Sequence, residues 1–247
     1  MNLLWDPNLK PPTYPRHPPA LALTLQPSKP RLERALRVGM SKRTDELPPA
    51  RETFSDEDVT RVMRRPSVLG GYAGHLQPLS PLRRAEVFGA FEWKAEPLVG
   101  TPDRIVIKDS WERDNLVRLE VPQLQGLALA SPIRFHRRGV TQLLALFTDL
   151  EAEGLLDRVR TWNGSFVPRF KRGRAAFGGI ADLSNHAWGI AFDINAQWNR
   201  VGAPPAAIGQ TGSVAELVPI AHRHGFVWGG SFVGRPDGSH FELAKVV

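Results

Sequence analysis

Ser184-Asn185-His186-Ala187-Trp188-Gly189-Ile190-Ala191-Phe192-Asp193, followed downstream by Asp237-Gly238-Ser239-His240-Phe241-Glu242, is the pair of stretches on which the reading of this chain turns. His186, Asp193 and His240 are ligand-type residues. Two neutral imidazoles and one carboxylate are the protein ligands of a catalytic zinc, which keeps its fourth position open for water. A closed structural site would more often use four ligands, and the chain has no cysteine. The set therefore points to metal-assisted hydrolysis with Zn2+ as cofactor. Each piece alone is weak, because a histidine seven positions before an aspartate is commonly a surface or core pair. The weight comes from their order along the chain, with Trp228-Gly229-Gly230 between them.

The spacing also suggests how the ligands meet. Small or apolar residues alternate from Gly189 to Ile194, which predicts a strand with Gly189, Ala191 and Asp193 on one face. His240 and Glu242 are two apart at the start of an apolar stretch and share a face in the same way. Two such strands would present Asp193 and His240 to one point, with His186 reaching in from the preceding loop.

Ser-x-His-x-x-Gly-x-Ala-x-Asp, Trp-Gly-Gly and Asp-x-x-His-Phe-Glu together resemble the zinc D-Ala-D-Ala carboxypeptidases and L-alanyl-D-glutamate endopeptidases of peptidase family M15, the VanY-like and phage-endolysin group. The resemblance covers roughly residues 131–247. It implies the DD-peptidase/hedgehog-like fold, an α+β arrangement in which a small, mainly antiparallel sheet is flanked by helices. It also implies a catalytic carboxylate three residues before the last histidine, Glu in some branches and Asp in the endolysin-like branch, which is Asp237 here. Asp237 is then the general base that takes the proton of the attacking water. Its bland alternative is a turn, Arg235-Pro236-Asp237-Gly238, in which the aspartate caps its own backbone. Glu242 is the rival base, although its position suits a carboxylate that orients an imidazole.

Similar enzymes keep an arginine before the first ligand that contacts the substrate carbonyl. Arg169 takes that role here, held by Pro168 and flanked by Phe166 and Phe170, because a guanidinium stays charged and offers fixed donors to an oxyanion. Arg172 and Arg174 read as solvated loop charges, yet either could bind a substrate carboxylate. Ser184 matches a family position and is read with Trp228 and Arg172 as substrate-binding, against the alternative that its hydroxyl satisfies its own turn.

The partners expected are peptidoglycan stem peptides. A formal net charge of +7 adds attraction to anionic cell-envelope polymers. The basic clusters, Arg134 to Arg138 and Lys171 to Arg174, are not interleaved with enough aromatics to suggest base stacking, and no helix-turn-helix, zinc-finger or RNA-binding signature is present, so no specific nucleic-acid partner is expected. Two other readings remain open: a catalytically silent wall-binding or particle-assembly protein on the same fold, and, behind it, a basic nucleic-acid-binding protein. The start, Met1-Asn2-Leu3-Leu4-Trp5-Asp6-Pro7, lacks the pattern of a signal peptide, and no stretch approaches the ~18 apolar residues of a transmembrane segment. The expectation is synthesis in the cytoplasm and action on the wall, periplasmic or extracellular, after export by a route the sequence does not show.

Three segments are expected. Residues 1–54 form a Pro-rich, extended and partly disordered arm, since closely spaced prolines forbid long helices and remove ladder donors. Residues 55–130 form a small β-rich accessory segment, with a helix start at Ser55-Asp56-Glu57-Asp58 and strands at Arg104–Lys108 and Leu116–Val121 separated by Trp111, Asp114 and Asn115. Residues 131–247 form the catalytic domain, opening with a strand at Ile133–Phe135. A helix follows on which Val140, Leu143, Leu144, Phe147 and Leu150 keep the 3.6-residue period, with Gly154 as its stop. A second helix is expected to start at Ser213 with Glu216 as its capping-box partner, to kink at Pro219 and to end at Gly225. His222 and His224, in its last turn, are read as offsetting the helix dipole rather than binding metal. Phe226–Trp228 returns as a strand, and His17, His75 and His136 have no ligand-spaced partner.

Overall fold

Every second residue of a strand faces the same side of its sheet, and that alternation separates the site from the core in this protein. The computed structural model describes residues 76–130, 132–175 and 178–247. The Pro-rich arm, the helix start at Ser55, His17 and His75 lie outside the described residues. All described residues belong to the unit that spans Pro49–Val247. In chain order the elements are α1 (Pro81–Phe88), β1 (Trp93–Ala95), β2 (Ile105–Ile107), α2 (Trp111–Asn115), β3 (Leu116–Leu119), β4 (Ile133–His136), α3 (Val140–Ala152), β5 (Trp162–Gly164), β6 (Ala191–Ile194), α4 (Val218–Arg223), β7 (Phe226–Trp228) and β8 (His240–Leu243), with short 3₁₀ turns between several of them. The mixture of helices with small antiparallel sheets is of the α+β type.

The central sheet has the order β5-β6-β8-β7, and every pair in it is antiparallel. Phe192 and Phe241 are direct cross-strand partners. Their rings stack at a centroid distance of 5.4 Å, and Phe192 also stacks on Trp162 at 5.4 Å. Phe147 of α3 closes over them, 5.9 Å from Phe192. The periodic residues Val140, Leu143, Leu144, Phe147 and Leu150 are all buried on this side of α3, so that face of the sheet is core. Each such aromatic or aliphatic side chain contributes about 1.5–3 kcal/mol of burial.

A second antiparallel pair, β3 with β4, runs in register from Leu116 opposite His136 to Leu119 opposite Ile133. It joins residues on both sides of position 131. The backbone N–H of His136 donates to the Gly189 carbonyl at 2.8 Å, which ties this pair to the end of the turn before β6. The indole N–H groups of Trp111 and Trp188 donate to the carbonyls of Phe88 and Gly89, each at 3.0 Å. The described residues before 131 therefore share one hydrophobic core with those after it. α1 starts with Ser80 accepting from the Arg83 N–H at 3.2 Å and with proline in its first turn.

Three local expectations are corrected. Gly189 is not in the strand: it ends the 3₁₀ turn Asn185–Trp188 in a left-handed conformation, φ 60°, and β6 starts at Ala191. Only glycine fits, because a Cβ there would sit 2.7 Å from the Leu116 side chain. The second helix does not start at Ser213. Ser213 does bond Glu216, at 2.6 Å, but the residues between form a 3₁₀ turn, Ala215–Leu217, and the α-helix begins at Val218. Pro219 thus lies in a first turn, where its missing N–H costs nothing, and it starts the helix rather than kinking it. Trp111–Asn115 is a one-turn helix with the Trp111 side chain buried, not a plain connection.

Candidate metal centre

Asp193 of β6 and His240 of β8 are direct cross-strand partners, so both side chains leave the sheet on the face opposite Phe192 and Phe241. Ala191 and Glu242 form the next pair on that face. His186 comes from the 3₁₀ turn Asn185–Trp188, which Ser184 caps by accepting from the His186 N–H at 3.4 Å. The Val167 N–H holds the His186 carbonyl at 3.1 Å.

These elements bring three ligand atoms together. His186 Nε2 lies 3.2 Å from His240 Nδ1 and 3.2 Å from Asp193 Oδ1, and His240 Nδ1 lies 3.0 Å from Asp193 Oδ1. The far side of each ring fixes its tautomer. His186 Nδ1 is 2.8 Å from the Ser165 carbonyl, which can only accept, so this nitrogen donates and Nε2 presents its lone pair. His240 Nε2 donates to Glu242 at 2.9 Å, which leaves Nδ1 with its lone pair inward. Three electron-pair donors converging in this way call for a cation between them. Ligand bonds of about 2.0–2.1 Å in a tetrahedron require donor separations of about 3.3 Å, and the observed triangle has that size. The residues fit a zinc ion, and they form a group able to hold a metal.

The electrostatics mark the same point as one for positive charge, supplied either by a proton on Nδ1 of His240 or by a metal ion that displaces it. Burial alone would lower the pKa of His240, but hydrogen bonds to Asp193 and Glu242 and their charges outweigh it and raise it to about 10. Burial works against ionised Asp193, yet the charge and hydrogen bonds of His186 and His240 pull its pKa below the carboxylate range. Glu242 is also held below its ordinary value. Burial opposes this, and the His240 hydrogen bond and charge, the Asn185 amide and the Arg84 charge overcome it.

A cavity of about 390 Å³ opens over this face, and its lining includes Arg169, Arg172, Ser184, His186, Asp237 and His240. Asp237 is held beside the metal group by close packing against Gly229. Its N–H donates to the Gly229 carbonyl at 2.8 Å, and a Cβ on Gly229 would come within 2.7 Å of the Asp237 carbonyl and 3.1 Å of the His240 Cβ. Its carboxylate accepts from the Ser239 hydroxyl at 3.1 Å. Arg169 sits in a loop pinned on both sides: Ser184 N–H donates to its carbonyl at 3.0 Å and Phe170 N–H to that of Asp103 at 2.8 Å. Burial lowers the Arg169 pKa, and the charges of Asp193 and Asp237 oppose that shift.

Other expected site residues are placed differently. Arg174 pairs with Asp182 at 3.0 Å and is not part of the cavity lining. Trp228 is not part of that lining either: its indole N–H donates to the Gly238 carbonyl at 2.9 Å and braces the turn that carries Asp237. Glu242 lines the cavity but is committed to His240 and Asn185, the orienting role rather than that of a base. His224, not an expected site residue, pairs with Asp149 of α3 at 2.8 Å.

A family model described as D-alanyl-D-alanine carboxypeptidase, of peptidase family M15, matches residues 178–243. The match supports the M15 peptidases. It spans all three candidate ligands together with Ser184, Asp237 and Glu242, whereas Arg169 precedes it. No curated protein and no solved structure matches the chain.

Sequence reasoning missed three contributors. The Ser165 carbonyl is a backbone group with no side-chain signature. Asn185 lies inside the first motif but looks like a turn residue. Arg84, on α1, is 2 % exposed and bonds Asn185 directly. Its one sequence signal is a spacing of four from buried Phe88, which puts both on the inner face of the helix.

Proposed function

We propose that the protein is a zinc-dependent peptidase that hydrolyses an amide bond in peptidoglycan stem peptides. The observation that carries this reading is the triangle of His186, Asp193 and His240 lone pairs, 3.0–3.2 Å on each side, inside the residues matched by the M15 model. Bound zinc would supply Lewis-acid polarisation of the scissile carbonyl and lower the pKa of a water. Asp237 takes the proton of the attacking water and passes it to the leaving amine. Ser239 holds one of its carboxylate oxygens and leaves the other for that work. Arg169 places a charged guanidinium at the cavity wall, where it stabilises negative charge developing on the carbonyl oxygen. Ser184 and Arg172, also in the lining, contribute a hydroxyl and a cation for the peptide backbone and its carboxylates. Besides the buried Arg84, four cationic side chains line the cavity, Arg169, Lys171, Arg172 and Arg235, against two carboxylates, Asp237 and Glu242. This surplus suits a stem peptide rich in carboxylates.

Digestion of purified sacculi with and without a chelator, followed by mass spectrometry of the fragments, tests the proposal. New peptide termini that appear only without chelator are expected, and their positions separate a D-Ala-D-Ala carboxypeptidase from an L-Ala-D-Glu endopeptidase. Binding to sacculi with no new termini would instead favour the catalytically silent wall-binding reading.

A further inference from the structure

Arg84 is a positively charged side chain in the core, 2 % exposed, and it lies 102 to 156 positions before the metal ligands His186, Asp193 and His240. Its guanidinium lies 4.3 Å over the Trp188 ring. One arm donates to the Asn185 side-chain oxygen, and the other donates to the Ile180 and Leu183 carbonyls at 3.3 and 3.4 Å. The Asn185 amide nitrogen in turn donates to Glu242 Oε2. Glu242 accepts from His240 Nε2 at 2.9 Å, which turns His240 Nδ1 toward His186 and Asp193. We infer that Arg84 is a positioning residue for the metal centre, acting through Asn185 and Glu242 to hold the His240 imidazole in its ligating orientation.

The chemistry favours a chain of this kind. A carboxylate buried on β8 is costly unless its lone pairs are filled, and Asn185 and His240 each supply one donor to it. An asparagine amide can rotate to present either its oxygen or its nitrogen to a neighbour. Arg84, which can only donate, forces the oxygen of Asn185 toward itself and the nitrogen toward Glu242. A lysine would keep the charge but could not hold three acceptors in one plane. Burial lowers the Arg84 pKa to about 10, with Glu242 opposing, so the side chain stays charged at neutral pH. α1 would thereby be a working part of the centre, although it lies outside the segment matched by the M15 model.

The inference rests on the reading of His186, Asp193 and His240 as a metal site, and the same experiment checks both. Zinc affinity is measured by competition with a chromophoric chelator for the full chain and for Arg84→Met, Asn185→Ala, Glu242→Gln and the double variant Arg84→Met/Glu242→Gln, with thermal unfolding as a control. The unsubstituted protein should bind tightly, and each single variant should bind about 10- to 100-fold more weakly. By charge alone, removing a cation would strengthen the binding of another cation, so a loss has the opposite sign to a through-space effect. The double variant should bind about as weakly as Glu242→Gln alone, because residues acting in one chain are not additive. Losses that multiply in the double variant, or an Arg84→Met that binds zinc normally, would overturn the relay and leave the metal site standing. Absence of zinc binding by the unsubstituted protein would overturn the site and the relay together. Should Arg84→Met fail to fold, Asn185→Ala takes its place in the cycle, since it cuts the link while Arg84 keeps its carbonyl contacts.

Discussion

His240 and His136 are both buried imidazoles, 8 % and 1 % exposed, and their surroundings drive them in opposite directions. His240 stands between Asp193 and Glu242, and its pKa rises to about 10 in spite of burial. His136 sits against the rings of Phe88 and Trp111, with Nε2 donating to the Phe88 carbonyl at 3.1 Å and Nδ1 accepting from the Arg138 N–H at 3.2 Å. Burial lowers its pKa to about 3. The hydrogen bond to the Phe88 carbonyl opposes this, and the charges of Arg137 and Arg138 add smaller contributions in the same direction as burial. Burial penalises the charged form of both rings, so what separates a cation-binding histidine from a structural one is the negative charge around it. Two carboxylates make the first a place for a positive ion, and burial, with nearby arginines adding to it, keeps the second neutral down to about pH 3.

The largest effect should come from exchanging the two positions. His240→Ala should lose turnover and metal, because a three-ligand site cannot spare one. His136→Gln, which keeps a donor and an acceptor in place, should retain both metal content and turnover. Loss of metal in both variants would erase the distinction drawn here. Next in size, Asp237→Asn should keep metal and fold but lower kcat on the order of 10²- to 10⁴-fold, since an amide cannot accept the proton of water. Near-normal turnover would return the base to Glu242 in spite of its commitments to His240 and Asn185. Arg169→Lys should lower kcat and kcat/KM together by about 10²-fold, as expected for one lost oxyanion donor. An effect on KM alone would make Arg169 a ground-state binder of a substrate carboxylate.

A smaller effect, in stability, sharpens the His136 side of the comparison. The folded pKa of His136, about 3, lies below the ordinary value near 6.5. Between these values the unfolded chain therefore binds a proton that the folded chain refuses, and stability rises with pH. The stabilisation is fully present above pH 6.5 and is lost as pH falls, on the order of 2–3 kcal/mol by pH 4.5 at 1.4 kcal/mol per unit. Thermal unfolding of the parent protein and of His136→Gln between pH 7 and 4.5 should show a steeper decline for the parent. Parallel curves would mean that His136 is not held neutral.

How much of this could be read from sequence depended on whether a residue's role is local. Asp193 and His240 were legible because strand alternation puts them on a face apart from Phe192 and Phe241, and the stripe on α3 was legible from its period. Position 189 misled because its alternation continues the strand pattern, while the backbone there closes the 3₁₀ turn in a left-handed conformation. Pro219 misled because a proline inside an apparent helix and a proline in the first turn of a later one look alike in sequence. The Arg84–Asn185 contact spans 101 positions, and the Ser165–His186 contact uses a carbonyl. No periodicity or motif carries either, since both arise only when separate elements pack. The functional assignment of Asp237 came from the family pattern, and the structure adds its setting: packed against Gly229, with its turn braced by Trp228.

The most direct test of the central claim is zinc stoichiometry and affinity in chelator-treated protein, measured by calorimetric titration of the full chain beside His186→Ala. The account predicts about one equivalent bound tightly by the parent and almost none by the variant. Titration curves that are the same for both proteins, or no tight binding by either, would contradict it.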